Sequence, residues 1–276
     1  MSGSTLVSTD ELERNLLTWR VFDCRHDLSK SDLGEQQYRE GHIPGALFAH
    51  LERDLSAPKT GANGRHPLPE PQDFEKWIEK AGLQPSNQVV CYDAGNGSMA
   101  ARLWWMLRWV GHEKVAVLDG GFAKWTREGR EVGVDVPLFT PFNYPIKLRR
   151  DAAVDVNFIQ NHLNKTFLLD ARAPARYRGE QEPIDPVAGR IPGAKNRFNS
   201  ENLAPDGTFK QPFQLKQELE NVLGGRSPSE VIHYCGSGVS ACHNLLAMEV
   251  AGLKGGKLYP GSWSEWSADP TRPKEP

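Results

Sequence analysis

Gly41-His42-Ile43-Pro44-Gly45-Ala46 returns as Gly189-Arg190-Ile191-Pro192-Gly193-Ala194, and this recurrence decides how the chain is built. Three more segments return around it. Val21-Phe22-Asp23-Cys24-Arg25 matches Leu168-Leu169-Asp170-Ala171-Arg172, and Val89-Val90-Cys91-Tyr92-Asp93 matches Val231-Ile232-His233-Tyr234-Cys235. Leu118-Asp119-Gly120-Gly121-Phe122-Ala123-Lys124-Trp125 matches Tyr259-Pro260-Gly261-Ser262-Trp263-Ser264-Glu265-Trp266. The order is the same and the spacing nearly so, which is the signature of a unit written twice. We therefore expect a first domain over residues 1–136, a linker over 137–150 and a second domain over 151–276. The stretch 137–145, rich in Pro and Phe with weak periodicity, carries the linker reading, and residues 269–276, with three prolines, read as a tail.

Each copy alternates short apolar runs with helical patterns. Ser8 with Glu11 three residues on has the form of a capping box, followed by Leu12, Leu16 and Leu17 on one helical face. The counterpart starts at Asp155, with Phe158, Ile159 and Leu163. Further helices are expected through Phe74, Trp77 and Ile78, and through Leu215, Leu219 and Val222. Short strands are expected at residues 115–118 and 257–259. Strands alternating with helices predict an α/β fold, each copy a mostly parallel sheet with helices on both faces. Trp104, Trp105 and Trp109 lie on a helix-spaced stripe and read as packing residues.

Composition narrows the function. The chain has 276 residues, a net charge of -2, 38% hydrophobic and 25% charged residues. That balance describes a globular protein with no bias toward nucleic acid or acidic membranes. Residues 1–15 lack a basic-then-apolar pattern, so no secretory signal is expected, and the apolar run 103–107 is stopped by Arg108, too short to span a membrane. The four cysteines, Cys24, Cys91, Cys235 and Cys242, form no C-x-x-C pair. That argues against a zinc site or disulfide framework and for a reducing compartment, so a cytoplasmic location is expected.

The chemistry concentrates at His233-Tyr234-Cys235-Gly236-Ser237-Gly238-Val239-Ser240-Ala241. An apolar run, 230–232, feeds in and a helix-like run, 241–250, leaves, so Cys235 sits where a strand ends and a helix begins. Two glycines let backbone N–H groups turn inward, and the helix N-terminus adds positive potential. Both favour an anionic sulfur, and the thiolate is the nucleophile. The aligned position of the first copy is Asp93, in Asp93-Ala94-Gly95-Asn96-Gly97-Ser98, which cannot carry a transferable sulfur. One active copy and one inactive copy is the economical reading, with the inactive copy covering the site.

These motifs resemble the tandem-domain rhodanese superfamily, over essentially the whole chain. The resemblance implies that Cys235 takes a sulfane sulfur from a donor, becomes a persulfide and passes the sulfur to an acceptor. The acceptor would be a thiol such as thioredoxin or a small thiol, or cyanide, with no metal or organic cofactor. The loop Cys-Gly-Ser-Gly-Val-Ser-Ala is similar to the mercaptopyruvate-using form, whereas thiosulfate-preferring members tend to carry a basic pair where this chain has Gly236 and Ser237. A dianionic thiosulfate gains more from loop cations. Arg178 matches the family's substrate arginine. A second arginine expected before the Gly-x-Ile-Pro-Gly-Ala motif is missing, the stretch reading Glu182-Pro183-Ile184-Asp185-Pro186, and Arg190 is the nearest cation. His66, in Gly64-Arg65-His66-Pro67, sits roughly where the family places a histidine near the substrate, and Asp54 belongs to the same covering segment. Gly236, Ser237, Gly238, Val239 and Ser240 would line the donor, with Ser240 alternatively a helix cap. His42 reads as closing a turn, and His243 and Cys242 as packing. No histidine is assured beside the thiol, so no triad is expected.

Three rivals stand beside this reading. A Cys-loop phosphatase needs Cys-x5-Arg to clamp phosphate, and the residue six after Cys235 is Ala241. A persulfide-relay module without donor turnover shares the same loop. A thiosulfate:cyanide sulfurtransferase with little mercaptopyruvate activity differs in donor alone, and the sequence leaves donor, physiological acceptor and oligomeric state open.

Overall fold

The computed structural model describes residues 5–276, the side chain of Asn164 excepted. The first copy contributes β1 (Leu6–Val7), α1 (Thr9–Asn15), β2 (Arg20–Asp23), α2 (Leu33–Glu40), β3 (Ala46–Phe48), α3 (Pro71–Lys80), β4 (Val89–Tyr92), α4 (Ser98–Trp109), β5 (Val115–Leu118) and α5 (Gly121–Arg127). The second contributes α6 (Val156–His162), β6 (Phe167–Asp170), α7 (Pro174–Tyr177), β7 (Lys195–Asn196), α8 (Pro212–Leu223), β8 (Val231–Tyr234), α9 (Ser240–Val250), β9 (Lys257–Leu258) and α10 (Ser262–Ala268). The helix starts follow local chemistry: the Ser8 hydroxyl accepts from the Glu11 N–H at 3.1 Å, and the Asp155 carboxylate from the Phe158 N–H at 2.7 Å.

The first sheet runs β1-β5-β4-β2-β3 and the second β7-β6-β8-β9, every pairing parallel. In the second copy the equivalent of β1 is reduced to a single bridge between Ala153 and Leu258. β4, β5, β6 and β8 are buried along their whole length, as parallel strands covered on both faces must be. Each copy has its own apolar core, with Trp125 in the first and Trp263 and Trp266 in the second. Trp104, Trp105 and Trp109 are buried on α4, the last two stacked at 5.9 Å. No helix among the described residues is long and apolar enough to cross a membrane.

By contacts the chain forms two compact units. The first takes the chain to Ala57 with Pro69–Arg149 and Pro205–Thr208; the second takes Pro58–Leu68, Arg150–Ala204 and Phe209–Pro276. Three segments differ from the sequence reading, one of them Pro205–Thr208, which falls in the first unit. Pro58–Leu68, in the first repeat by sequence, belongs to the second unit. Most of the stretch read as linker lies against the first unit, where Tyr144 is buried with its hydroxyl 2.7 Å from His112 Nδ1.

The repeated motifs have a physical cause. Asp23 accepts from Arg25 Nε and Nη2, and Arg25 Nη2 also donates to Gly41 O at 2.7 Å. Asp170 and Arg172 repeat this, with Arg172 Nη2 donating to Gly189 O at 2.8 Å. The pair thus bolts the end of the second strand to the first glycine of the Gly-x-Ile-Pro-Gly-Ala turn. Tyr38 and Tyr177 then donate to the alanine carbonyls that close these turns, Ala46 O and Ala194 O, at 2.7 and 2.6 Å. Both partners of the second pair are almost fully buried, so removing one leaves an uncompensated charge. Arg172→Ala should lose about 3–5 kcal/mol of unfolding free energy in a urea titration; a loss under ~1 kcal/mol would show that the pair does not hold the turn.

Candidate active site

β8 is a central strand of the second sheet, between β6 and β9, and Cys235 follows it at the carboxyl end, where open parallel sheets place ligands. Cys235 is 3% exposed. Its N–H donates to Ser262 Oγ at 3.1 Å and its carbonyl accepts from the Trp263 N–H at 3.0 Å. Gly236 O accepts from the Ser264 N–H at 2.9 Å, so the start of α10 holds the loop from behind. Gly238 has φ +77°, and a Cβ there would meet Pro260 O at 2.3 Å, so only glycine fits.

Ser262 carries the site's backbone strain. It is fully buried at φ +55°, the one non-glycine in the left-handed region among the described residues. Its hydroxyl accepts from Cys235 and donates to Tyr259 O at 2.9 Å. Gly121, the equivalent residue of the first copy, has φ +54°. The first copy has therefore relaxed a position that the second keeps strained, and the retained hydroxyl fixes the Cys235 backbone.

The first copy also displays what this loop geometry holds. Asp93 stands in the place of Cys235, five residues before its helix as Cys235 is before α9. Its Oδ1 accepts from the Gly95 and Gly97 N–H groups, both at 2.9 Å, and its Oδ2 from Met99 and Ala100 at 2.9 and 3.2 Å. Burial pushes this carboxyl up, and the four amides offset that only in part, leaving it above its ordinary value. The strand–loop–helix turn is an anion cradle, filled in the first copy by the protein's own carboxylate.

Side chains converge on the Cys235 loop from Pro58–Leu68 and from the segment after β6. Buried His66 shares a 2.8 Å hydrogen bond between Nδ1 and Ser237 Oγ. Arg65 Nε and Nη2 donate to Asp185 at 2.8 and 3.2 Å, and Arg176 Nη2 donates to the same carboxylate at 3.1 Å. Arg176 also grips Glu182, from Nη2 at 2.6 Å. Burial raises Glu182, but the Arg176 bonds prevail and leave it below its ordinary value. A cleft of about 720 Å³ opens alongside, lined by Arg65, Asp185, Ser264 and Lys274 among others.

Two arginines singled out from the sequence lie elsewhere. Arg178 follows α7 as its C-cap, and its side chain is 53% exposed and paired with Glu180 at 2.6 and 2.8 Å. Arg176, inside α7, is the arginine of that segment beside the loop. Arg190 lies over the Tyr177 ring and binds Glu275 and Pro276 O, pinning the final residues rather than facing Cys235. Ser240 is not the helix cap: α9 is capped at Val239, without a side-chain bond. Asp54 accepts from the His50 N–H within the first unit. His42 stacks on Tyr38 at 3.9 Å and bonds Tyr38 O, as a turn-closing residue would. His243 stacks on Phe209, and Cys242 donates to Gly238 O at 3.3 Å. His233 is buried with no hydrogen-bond partner at either nitrogen, and burial lowers it to about 3, so it is neutral. Arg65, Arg176, Asp185 and Ser262 are the residues the sequence did not single out, although Arg65, Asp185 and Ser262 each lie within a stretch it quoted.

The comparisons agree on one family. The rhodanese-like domain matches residues 8–128 and again residues 155–269. A Pseudomonas aeruginosa protein named "Probable 3-mercaptopyruvate sulfurtransferase" is 45% identical, covering 99% of this chain and 98% of its own length. A thiosulfate sulfurtransferase of Cricetulus griseus is 34% identical over 90% of this chain and 84% of its own. The solved 3-mercaptopyruvate sulfurtransferase of Leishmania major superposes with a TM-score of 0.87 at 30% identity, over 97% of this chain and 75% of that one.

The strain at Ser262 is open to a direct test. Ser262→Gly and Ser262→Ala lose the same hydroxyl, but only glycine is at ease at this φ. The glycine variant should be the more stable by about 1–2 kcal/mol in denaturant titration; equal stabilities would show that this backbone stores no strain.

Proposed function

Since the chain belongs to the rhodanese family, we propose that it is a sulfurtransferase in which Cys235 carries the sulfur from an anionic donor, 3-mercaptopyruvate, to a thiol or cyanide. The observation that carries this reading is the anion cradle filled by Asp93 in one copy and ending in Cys235 in the other. The outer sulfur of a cysteine persulfide stands two bonds from Cβ, as a carboxylate oxygen of aspartate does. The same ring of amides suits both anions.

The step balances without a cofactor. The Cys235 thiolate attacks the donor sulfur and an S–S bond forms. The C–S bond breaks, and its electron pair leaves on carbon as pyruvate enolate, which takes the donor's thiol proton to give pyruvate. Cys235 is left as the persulfide anion, with the loop amides and the N-terminus of α9 facing the charge. An acceptor thiolate or cyanide then attacks the outer sulfur and returns the thiolate. Thiosulfate would follow the same course with sulfite as leaving group. The Ser237–His66 hydrogen bond fixes a hydroxyl in the loop, and Arg176 rather than Arg178 supplies the guanidinium for the donor's carboxylate. No disulfide joins the cysteines among the described residues, which suits a reducing compartment such as the cytoplasm, where thiol acceptors abound.

The test is steady-state kcat/KM for 3-mercaptopyruvate and for thiosulfate with cyanide as common acceptor. Cys235→Ser should abolish turnover with both donors while keeping the folded spectrum; substantial residual transfer would sink the assignment. Arg176→Ala should raise the 3-mercaptopyruvate KM about 10- to 100-fold, the loss of one charge-assisted contact, and Arg178→Ala should change it less than about threefold. The reverse order would return the role to Arg178.

A further inference from the structure

Gly236 is not in the left-handed region, and a side chain there would require a guanidinium to shift. The three heavy atoms nearest to where its Cβ would stand are all guanidinium nitrogens: Arg65 Nη2 at 2.6 Å, and Arg176 Nη2 and Nη1 at 3.4 and 3.5 Å. The space beside the residue after the nucleophile is taken by positive charge brought from other segments. Arg176 is the more neutralised of the two, gripped through Nε and Nη2 by buried Glu182 and sharing Asp185. Arg65 shares Asp185 alone and stands closer to the loop.

Arg65 is also held in register with the loop. Its N–H donates to Ser264 Oγ at 3.0 Å, and the Ser264 N–H donates to Gly236 O at 2.9 Å, so one serine ties both residues. The preceding Gly64 has φ +84°, and a Cβ there would meet Gly261 O at 2.8 Å, so the segment passes tight against the turn that backs the loop. The Arg65 side chain is partly exposed and lines the 720 Å³ cleft. It therefore faces both the loop and the open side.

We propose that Arg65 is the specificity-determining residue of the Cys235 site, selecting carboxylate- or sulfonate-bearing sulfur donors over neutral ones in place of a charged side chain at position 236. This rests on Cys235 being the sulfur-carrying nucleophile. Asp185 holds Arg65 in place from behind, and an incoming anion engages the guanidinium from the loop side, adding a second arm to Arg176.

The experiment uses two alkylating probes of nearly equal size, iodoacetate and iodoacetamide, on the full chain. Each forms a Cys235 S–C bond with loss of iodide, and the modified peptide is quantified by mass spectrometry. The ratio of the two rate constants reads the charge beside the sulfur with reactivity cancelled. Arg65→Ala should lower the iodoacetate/iodoacetamide ratio about tenfold and raise the KM for 3-mercaptopyruvate by a similar factor, with kcat within about threefold of the parent. If Arg65→Ala does not fold, Arg65→Gln, which keeps a donor to Asp185 without the charge, gives the same reading. An unchanged alkylation ratio in a folded variant overturns the proposal. Failure of the sulfurtransferase reading would show separately, as a parent protein with no turnover whose alkylation ratio still responds to Arg65.

Discussion

The buried Asp170–Arg172 pair is the interaction on which the second unit's working parts depend. Desolvating two charges is expensive, and only near-complete hydrogen bonding makes the arrangement tolerable. Here the guanidinium is bidentate to Asp170, donates to Gly189 O, lies 5.0 Å from the Trp263 ring and reaches Glu182 at 3.4 Å. Each contact fixes something else. Gly189 begins the conserved-by-repetition turn, Trp263 holds Cys235 O, and Glu182 orders Arg176. The same pair in the first copy, Asp23–Arg25, bolts its turn in the same way. The extension from the arginine through Glu182 and Arg176 to Asp185 and Arg65 belongs to the second unit. The structural pair and the site cations thus form one network in which no guanidinium is placed alone.

The two copies show how one turn serves two ends. Five residues connect strand to helix in each, and the amides of the first converge on Asp93. A carboxylate fixed to the backbone fills the cradle permanently and makes it structural. On the proposed function a cysteine fills it through a charged sulfur, and its persulfide is emptied by attack on the outer sulfur. Replacing aspartate with cysteine is then a change from a fixed anion to an exchangeable one. The strain kept at Ser262, where the first copy has Gly121, belongs with that change, since a loop that must present a nucleophile needs its backbone pinned more firmly than one that only satisfies its own amides.

Much of this was legible in the sequence because repetition doubles the evidence. The strand and helix order and the Cys235 turn follow from aligned segments, whereas His66 came from the family resemblance. The arginines were harder. Arg176 and Arg178 are two residues apart, and resemblance pointed to the second. The deciding fact is that Arg178 falls at the C-cap of a helix only four residues long, where Glu180 draws it into solvent. That is a matter of one turn of backbone, invisible to spacing. Ser262 was hidden differently: its φ is a tertiary outcome, although a glycine at the aligned Gly121 was the one available hint. Arg190 reads as a cation near the site, but the last residues of the chain fold back and take it.

Position 236 makes the general point. From sequence, a glycine after the nucleophile looks like an absence of charge and so like a preference for a less anionic donor. In the structure it is a vacancy that two guanidiniums already fill, one of them from a segment 171 residues earlier than the loop. The electrostatics of the loop are consequently set by residues that no local motif includes. Positions 65 and 236 share this space: a side chain at 236 requires the end of Arg65 to shift, whereas a small residue at 65 leaves room for a charge at 236. Donor choice in such a site is a property of that pair and not of the loop sequence read alone.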